Sequence, residues 1–136
     1  MSKQIFVNLP VKDLKKTVEF FTKLGYTFNP QFTDENATCM IVSENIFVML
    51  LVEPFFKGFT KKEIADTSKC NEAIICLSAE SREEIDDIIK KAVDAGADKS
   101  PQSQDPDFMY SRGFMDLDGH YWEYVYMDMS KMPASN

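Results

Sequence analysis

Few side chains in this sequence can do chemistry, and most of them lie in its second half. The 136 residues hold one histidine, His120, and three cysteines, Cys39, Cys70 and Cys76. In the run Phe114-Met-Asp-Leu-Asp-Gly-His-Tyr-Trp-Glu123, His120 stands three residues before Glu123. On one strand the two point to opposite faces, so they do not form a His–carboxylate pair, and His120 reads as a hairpin-exit residue. Glu123 has two readings. It is either a general base, and so the one catalytic candidate, or a carboxylate that accepts a hydrogen bond from a Tyr or Arg and holds a sheet together. A nucleophilic Cys76 needs an activating base or a positive environment; with no histidine placed to supply one, a packing role is expected. Tyr110 and Arg112 share one face of a strand, and Arg112 is the candidate for an anionic ligand group or for pairing with Glu123. Asp116-Leu-Asp-Gly119 lacks the spaced oxygen ligands of a calcium loop, and Asp118-Gly119 is explained as a tight hairpin turn.

The bulk properties exclude several classes. A net charge of −7 disfavours nucleic acid as a partner, since phosphate binding needs a basic footprint. No apolar run approaches the roughly 20 residues of a membrane helix, and the start, MSKQIFVNLPV, lacks the apolar core of a signal peptide. No membrane partner and a cytoplasmic location are therefore expected. An odd number of cysteines without CxxC spacing argues against a disulfide framework or a zinc ribbon.

The elements that must position these residues form a repeat. Residues 4–11, QIFVNLPV, alternate as a strand, with Phe6 and Asn8 on one face. Asp13 caps a helix whose apolar positions include Leu14, Val18 and Phe21, and Gly25 stops it. Strands are expected over 26–33, 37–43 and 46–53, then a connection over 54–71 with a capping box at Thr60–Glu63 that predicts one short helix. Residues 72–79 open the repeat as a strand, so Glu72, Ile74 and Cys76 share a face. Ser81 caps a second helix striped by Ile85, Ile88, Ile89, Ala92 and Val93, and Gly96 ends it. After the polar stretch KSPQSQDPD come strands over 108–117 and 120–127. The class is thus α+β: two tandem β-α-β-β-β modules, about 4–53 and 72–127, forming a curved mixed sheet around a cleft, in one domain with a tail over 128–136.

These residues carry a resemblance. Val7-Asn-Leu-Pro-Val-Lys-Asp13-Leu14, Glu19-Phe-Phe21 and Leu24-Gly25-Tyr26 resemble the opening of the glyoxalase, bleomycin-resistance and extradiol-dioxygenase proteins, the vicinal oxygen chelate superfamily. Phe114–Glu123 resembles its closing hairpin, with Leu117 where the family form has Pro. The whole chain fits, from about residue 4 to 127, most like an uncharacterised bacterial glyoxalase-like branch. The resemblance implies paired modules, often a homodimer, and in metal-dependent members four strand positions that give His, Gln or Glu to one divalent ion. Carried over, those positions hold Phe6, Leu50 (or, one residue away, Met49), Ile74 and Glu123. Only Glu123 is a donor for such an ion. No metal or other cofactor is therefore expected, although a Glu72–Glu123 pair with water is an alternative for Mg²⁺ or Mn²⁺. The expected function is metal-free binding of a small organic molecule in an apolar cleft, with Phe6, Asn8, Leu50, Ile74, Cys76, Tyr110, Arg112 and Tyr121 as ligand-binding candidates. The alternative is a lyase or dioxygenase-type enzyme using Glu123 as base or as its one retained metal ligand.

Overall fold

The computed structural model describes residues 2–132. They form two compact units, divided between Asp66 and Thr67. Among the described residues no helix is long and apolar enough to cross a membrane.

The first unit contains β1 (Ile5–Val11), α1 (Leu14–Lys23), β2 (Thr27–Asn29), β3 (Ala37–Ser43), β4 (Ile46–Val52) and the short α2 (Glu53–Phe56). Its sheet runs β1-β4-β3-β2, with β1 parallel to β4 and the other pairs antiparallel. Asp13 caps α1, accepting the backbone N–H of Lys16 at 3.1 Å. Gly25 ends the turn after it at φ +103°, where a side chain would be strained. The buried stripe of α1 is Thr17, Phe20, Phe21 and Leu24, with Leu14 and Val18 half-buried beside it. Burying Phe20 and Phe21 contributes about 1.5–3 kcal/mol each. Strand β2 is shorter than expected. Pro30 has no N–H for the ladder and instead starts a 3-10 turn over Pro30–Phe32, capped by the Asn29 side chain.

The second unit repeats the plan with β5 (Ile74–Ser78), α3 (Arg82–Asp94), β6 (Asp98–Gln104), β7 (Met109–Met115) and β8 (Tyr121–Met127). Its sheet runs β5-β8-β7-β6, with β5 parallel to β8. Ser81 caps α3 by accepting from Glu84 N, and Glu84 Oε2 accepts from Glu80 N. At 13 residues, α3 is about one turn longer than the 10 residues of α1.

Three local expectations are corrected. The polar stretch after α3 is a strand, β6. It sits at the sheet edge, with a register shift between Lys99 and Ser103, so it needs no apolar alternation and tolerates Pro101. No helix starts at Thr60. Its hydroxyl accepts from Lys62 N at 3.2 Å in a local turn, and the helical residues come earlier, at α2 and a 3-10 turn over Lys57–Phe59. The β7–β8 connection is also wider than a two-residue turn. Gly119 N donates to Asp116 O at 3.0 Å and Asp116 N to His120 O at 2.9 Å, with Gly119 at φ +79°.

Candidate functional site on the open sheet faces

Strand register decides which candidates stand together, because residues paired across a ladder share a face. In the first unit Phe6 pairs with Phe47 and Asn8 with Met49. The Phe6 and Phe47 rings stack with centroids 5.0 Å apart, and Phe6 is half exposed. Asn8 donates from its side chain to Phe6 O at 3.2 Å. Leu50 pairs with Leu9 and Thr38 on the opposite face, and all three are buried. Leu50 is therefore a core residue, and Met49 shares the face of Phe6 and Asn8. The alternation of β1 and β4 puts one set toward the core and the other away from it, and a one-residue choice of register switches the two.

In the second unit β5 and β8 pair Ile74 with Tyr121 and Cys76 with Glu123, and β7 sets Gly113 against Glu123. Ile74, Cys76, Tyr121, Glu123, Val125, Met115 and Gly113 thus share one face. The other face carries Phe114, Trp122, Tyr124 and Tyr110, all buried, and α3 packs against its strands. Four candidates named from sequence, Ile74, Cys76, Tyr121 and Glu123, are brought together on the open face.

Tyr110 and Arg112 are not with them. The Tyr110 hydroxyl donates to Asp86 of α3, and Arg112 Nε donates to the same hydroxyl and lies 3.4 Å from Asp86. Arg112 therefore does not pair with Glu123. Its guanidinium lies over the Tyr110 ring, as does that of Arg82. Asp86, Tyr110 and Arg112 border an open depression of about 400 Å³ that also takes in Lys90, Asp94 and Lys99. Cations and carboxylates are mixed there, so the depression offers no one-sided charge to a ligand.

Glu72 and His120 depart from expectation together. Strand β5 begins at Ile74, so Glu72 precedes it and is not in the alternation with Cys76. The Nδ1–H of His120 donates to Glu72 Oε1 at 2.6 Å, since a carboxylate can only accept. His120 is buried at 2% exposure, not an exposed exit residue. Nearby, Asp116 Oδ1 accepts from Asp118 N and His120 N, and its Oδ2 accepts from Trp122 Nε1 at 2.9 Å. Burial pushes the Asp116 carboxyl above its ordinary range, while the His120 charge and these hydrogen bonds pull the other way. The structural role of Asp116 was not legible in sequence beyond its place in the turn.

On the open face Glu123 is half-buried, and the exposed Cys76 is its register partner across the β5–β8 ladder. Among the described residues no Lys, Arg or His forms an ion pair with Glu123. Burial pushes the Cys76 thiol up, and the Glu123 charge and hydrogen bond push it further the same way. The sign is that of an acid whose anion is disfavoured, so Cys76 stays a neutral thiol through neutral pH. Replacing Glu123 with Gln removes the negative charge and lowers the thiol pKa. At about pH 8, alkylation of Cys76 by iodoacetamide is then expected to speed up a few-fold, read at the Cys76 peptide with Cys70 as internal reference. An unchanged rate means that Glu123 does not act on the thiol.

Gly113 completes the face. A Cβ there would lie 2.5 Å from Trp122 O and 2.9 Å from Tyr121 Cε1, so the missing side chain lets the Tyr121 ring lie close over the backbone. The Tyr121 hydroxyl and Ser100 Oγ are 2.8 Å apart, which fixes the ring's far end.

With this geometry established, comparison with known proteins places the fold. Residues 3–43 match the family model described as bleomycin resistance protein-like N-terminal. Three solved structures resemble the chain. A hypothetical protein, SA1046, from S. aureus is 26% identical, with a TM-score of 0.77 over 93% of this chain and 95% of that one. A glyoxalase/bleomycin resistance protein/dioxygenase family enzyme from Burkholderia phytofirmans PsJN is 11% identical, with a TM-score of 0.77 over 93% and 99%. A glyoxalase/bleomycin resistance protein/dioxygenase from Nocardioides is 19% identical, with a TM-score of 0.72 over 100% and 90%. The family model covers less than a third of the chain, and over the rest the chain shares the fold of these glyoxalase/bleomycin resistance protein/dioxygenase structures. No curated protein matches the chain.

The metal set implied for vicinal oxygen chelate proteins does not fit the residues present. Of the positions carried over, Phe6 and Ile74 offer no lone pair, Leu50 is in the core, and its neighbour Met49 offers only a weak thioether. Of the carried-over positions Glu123 is the single hard donor, and its register partner on β5 is Cys76. The Glu72 carboxylate of the alternative pair is engaged by His120. Among the described residues no group of three or more His, Cys, Asp or Glu is arranged to hold a metal ion.

Proposed function

We propose that this protein binds a small organic molecule through the open face of its second sheet, without a metal ion. One observation carries the reading: among the described residues of β5, β7 and β8 on that face Glu123 is the one carboxylate, and it stands among apolar and aromatic groups and a neutral thiol. Ile74, Tyr121, Val125 and Met115 supply contact area, and a few polar atoms among apolar ones orient a bound molecule. The stacked Phe6–Phe47 pair, Asn8 and Met49 give the first sheet a second aromatic surface of the same character.

The first test is metal content. Protein purified untagged without chelators and soaked in Ni²⁺, Zn²⁺, Mn²⁺, Fe²⁺ or Mg²⁺ is expected to retain far less than one ion per chain. Near-stoichiometric metal that disappears in Glu123→Gln overturns the reading and favours a lyase or dioxygenase. The proposal includes a cytoplasmic location, which three free thiols suit, and a homodimer. Sedimentation tests the assembly, and a 15.6 kDa species overturns it.

A further inference from the structure

The open face of the second sheet has a one-sided charge. Its register positions on β5, β7 and β8 are Ile74, Cys76, Ser78, Met109, Ser111, Gly113, Met115, Tyr121, Glu123, Val125 and Met127, and only Glu123 is ionic. Four basic side chains of the unit are engaged elsewhere, and Lys99 pairs with Phe114 on the other face. Arg112 is tied to Tyr110 and Asp86, Arg82 to Asp105, Lys90 to Asp94 and Lys91 to Asp87. Glu123 is thus a half-buried carboxylate that takes part in no ion pair among the described residues and has the Cys76 thiol, a weak donor, as its cross-strand neighbour. A carboxylate drawn partly out of water is stabilised by an opposite charge that also brings strong N–H donors.

We infer that the ligand of this face is an organic cation, an ammonium or amidinium group on an apolar or aromatic body, whose charged end pairs with Glu123. The inference rests on the small-molecule reading above and specifies its ligand class. The cation's N–H groups donate to the carboxylate beside the Cys76 side chain. Its body lies over Ile74 and Val125 and against the Tyr121 ring, which Gly113 and Ser100 hold in one orientation. The Tyr121 face is itself attractive to a cation. The chain's net charge of −7 draws such a ligand from solution. An anionic ligand would meet Glu123 with no compensating cation on the face, so charge discriminates as well as attracts.

The test uses probes matched in shape and different in charge: phenethylamine and benzamidine as cations, 2-phenylethanol and benzamide as neutral isosteres, and phenylacetate and benzoate as anions. Binding to the full chain is followed by chemical-shift perturbation in protein-observed NMR. The cations are expected to bind at least about tenfold more tightly than their neutral isosteres, the anions more weakly than either, with shifts at Ile74, Cys76, Tyr121 and Val125. In Glu123→Gln the ratio of cation to neutral affinity should fall to about one, and amide shifts unchanged outside this face show that the variant is folded. Glu123→Asp should keep the preference at reduced affinity. Cations and neutral isosteres binding equally at these residues overturns the inference and leaves the small-molecule reading standing. No probe of any charge shifting these residues overturns both. A cation preference that survives in Glu123→Gln assigns the charge recognition elsewhere and also overturns the inference.

Discussion

Gly113→Ala is expected to cost about 3 kcal/mol or more and to lower the melting temperature by on the order of 10 °C. The added Cβ would stand 2.5 Å from Trp122 O, 2.9 Å from Tyr121 Cε1 and 3.4 Å from Glu123 Cα. Two of these three contacts involve backbone atoms of β8, which cannot move without opening the β7–β8 ladder. Trp122 itself is fully buried, so the strand has no free side to retreat toward. A substitution at Gly58, where a Cβ meets nothing within 4 Å, is the control and should change stability by less than about 1 kcal/mol. Both are read by thermal and urea unfolding. Equal stability of Gly113→Ala and the parent protein would mean that β7 and β8 are not in this register, and the open face would have to be redrawn. Because Gly113 lies opposite Glu123, any Gly113→Ala protein that does fold should also bind the probes of this face more weakly.

Asp116→Ala should rank next, at about 3 kcal/mol. The substitution orphans three donors at once: the Trp122 indole N–H, buried with its whole side chain, and the backbone N–H groups of His120 and Asp118. It also takes a negative charge from beside the His120 ring, whose Nδ1–H donates to Glu72. Asp116→Asn keeps one acceptor oxygen but must turn either its oxygen or its NH2 toward each set of donors. It should recover only part of the loss. The check is the order of urea midpoints, parent above Asn above Ala, together with a red shift of the fluorescence of the single tryptophan in the native baseline. An Asp116→Ala midpoint within error of the parent would show that the turn holds itself without the carboxylate, and that Trp122 finds another acceptor.

The two substitutions separate what the hairpin does. Gly113 and Glu123 belong to the open face, Asp116 and Trp122 to the closed one, and only a few residues along two adjacent strands distinguish them. A motif that resembles one continuous signature in sequence, Phe114 to Glu123, is therefore split between the buried and the open face of one sheet. The alternation of side chains along β8 makes the division.

The sequence by itself determined the repeated module, because its signals are local. The Asp13 and Ser81 caps, the Gly25 and Gly96 stops and the periodicities of α1 and α3 each follow from a few neighbouring residues. It also determined that at most one hard metal donor stands at the positions carried over from the superfamily, since that follows from residue type alone. Tertiary structure decided the rest. The face on which Leu50 or Met49 lies depends on a one-residue register with β1 and β3, and nothing local to β4 fixes it. Arg112 could have met Glu123 until the pairing of Gly113 with Glu123 put it on the side of α3. Strand β6 carried no pattern, because an edge strand of polar residues draws its order from the ladder it joins. Glu72 and His120, 48 residues apart, meet only because β5 lies parallel to β8. Capping and periodicity are written within a few residues, whereas register, face and ion pairing are set by partners distant in the chain.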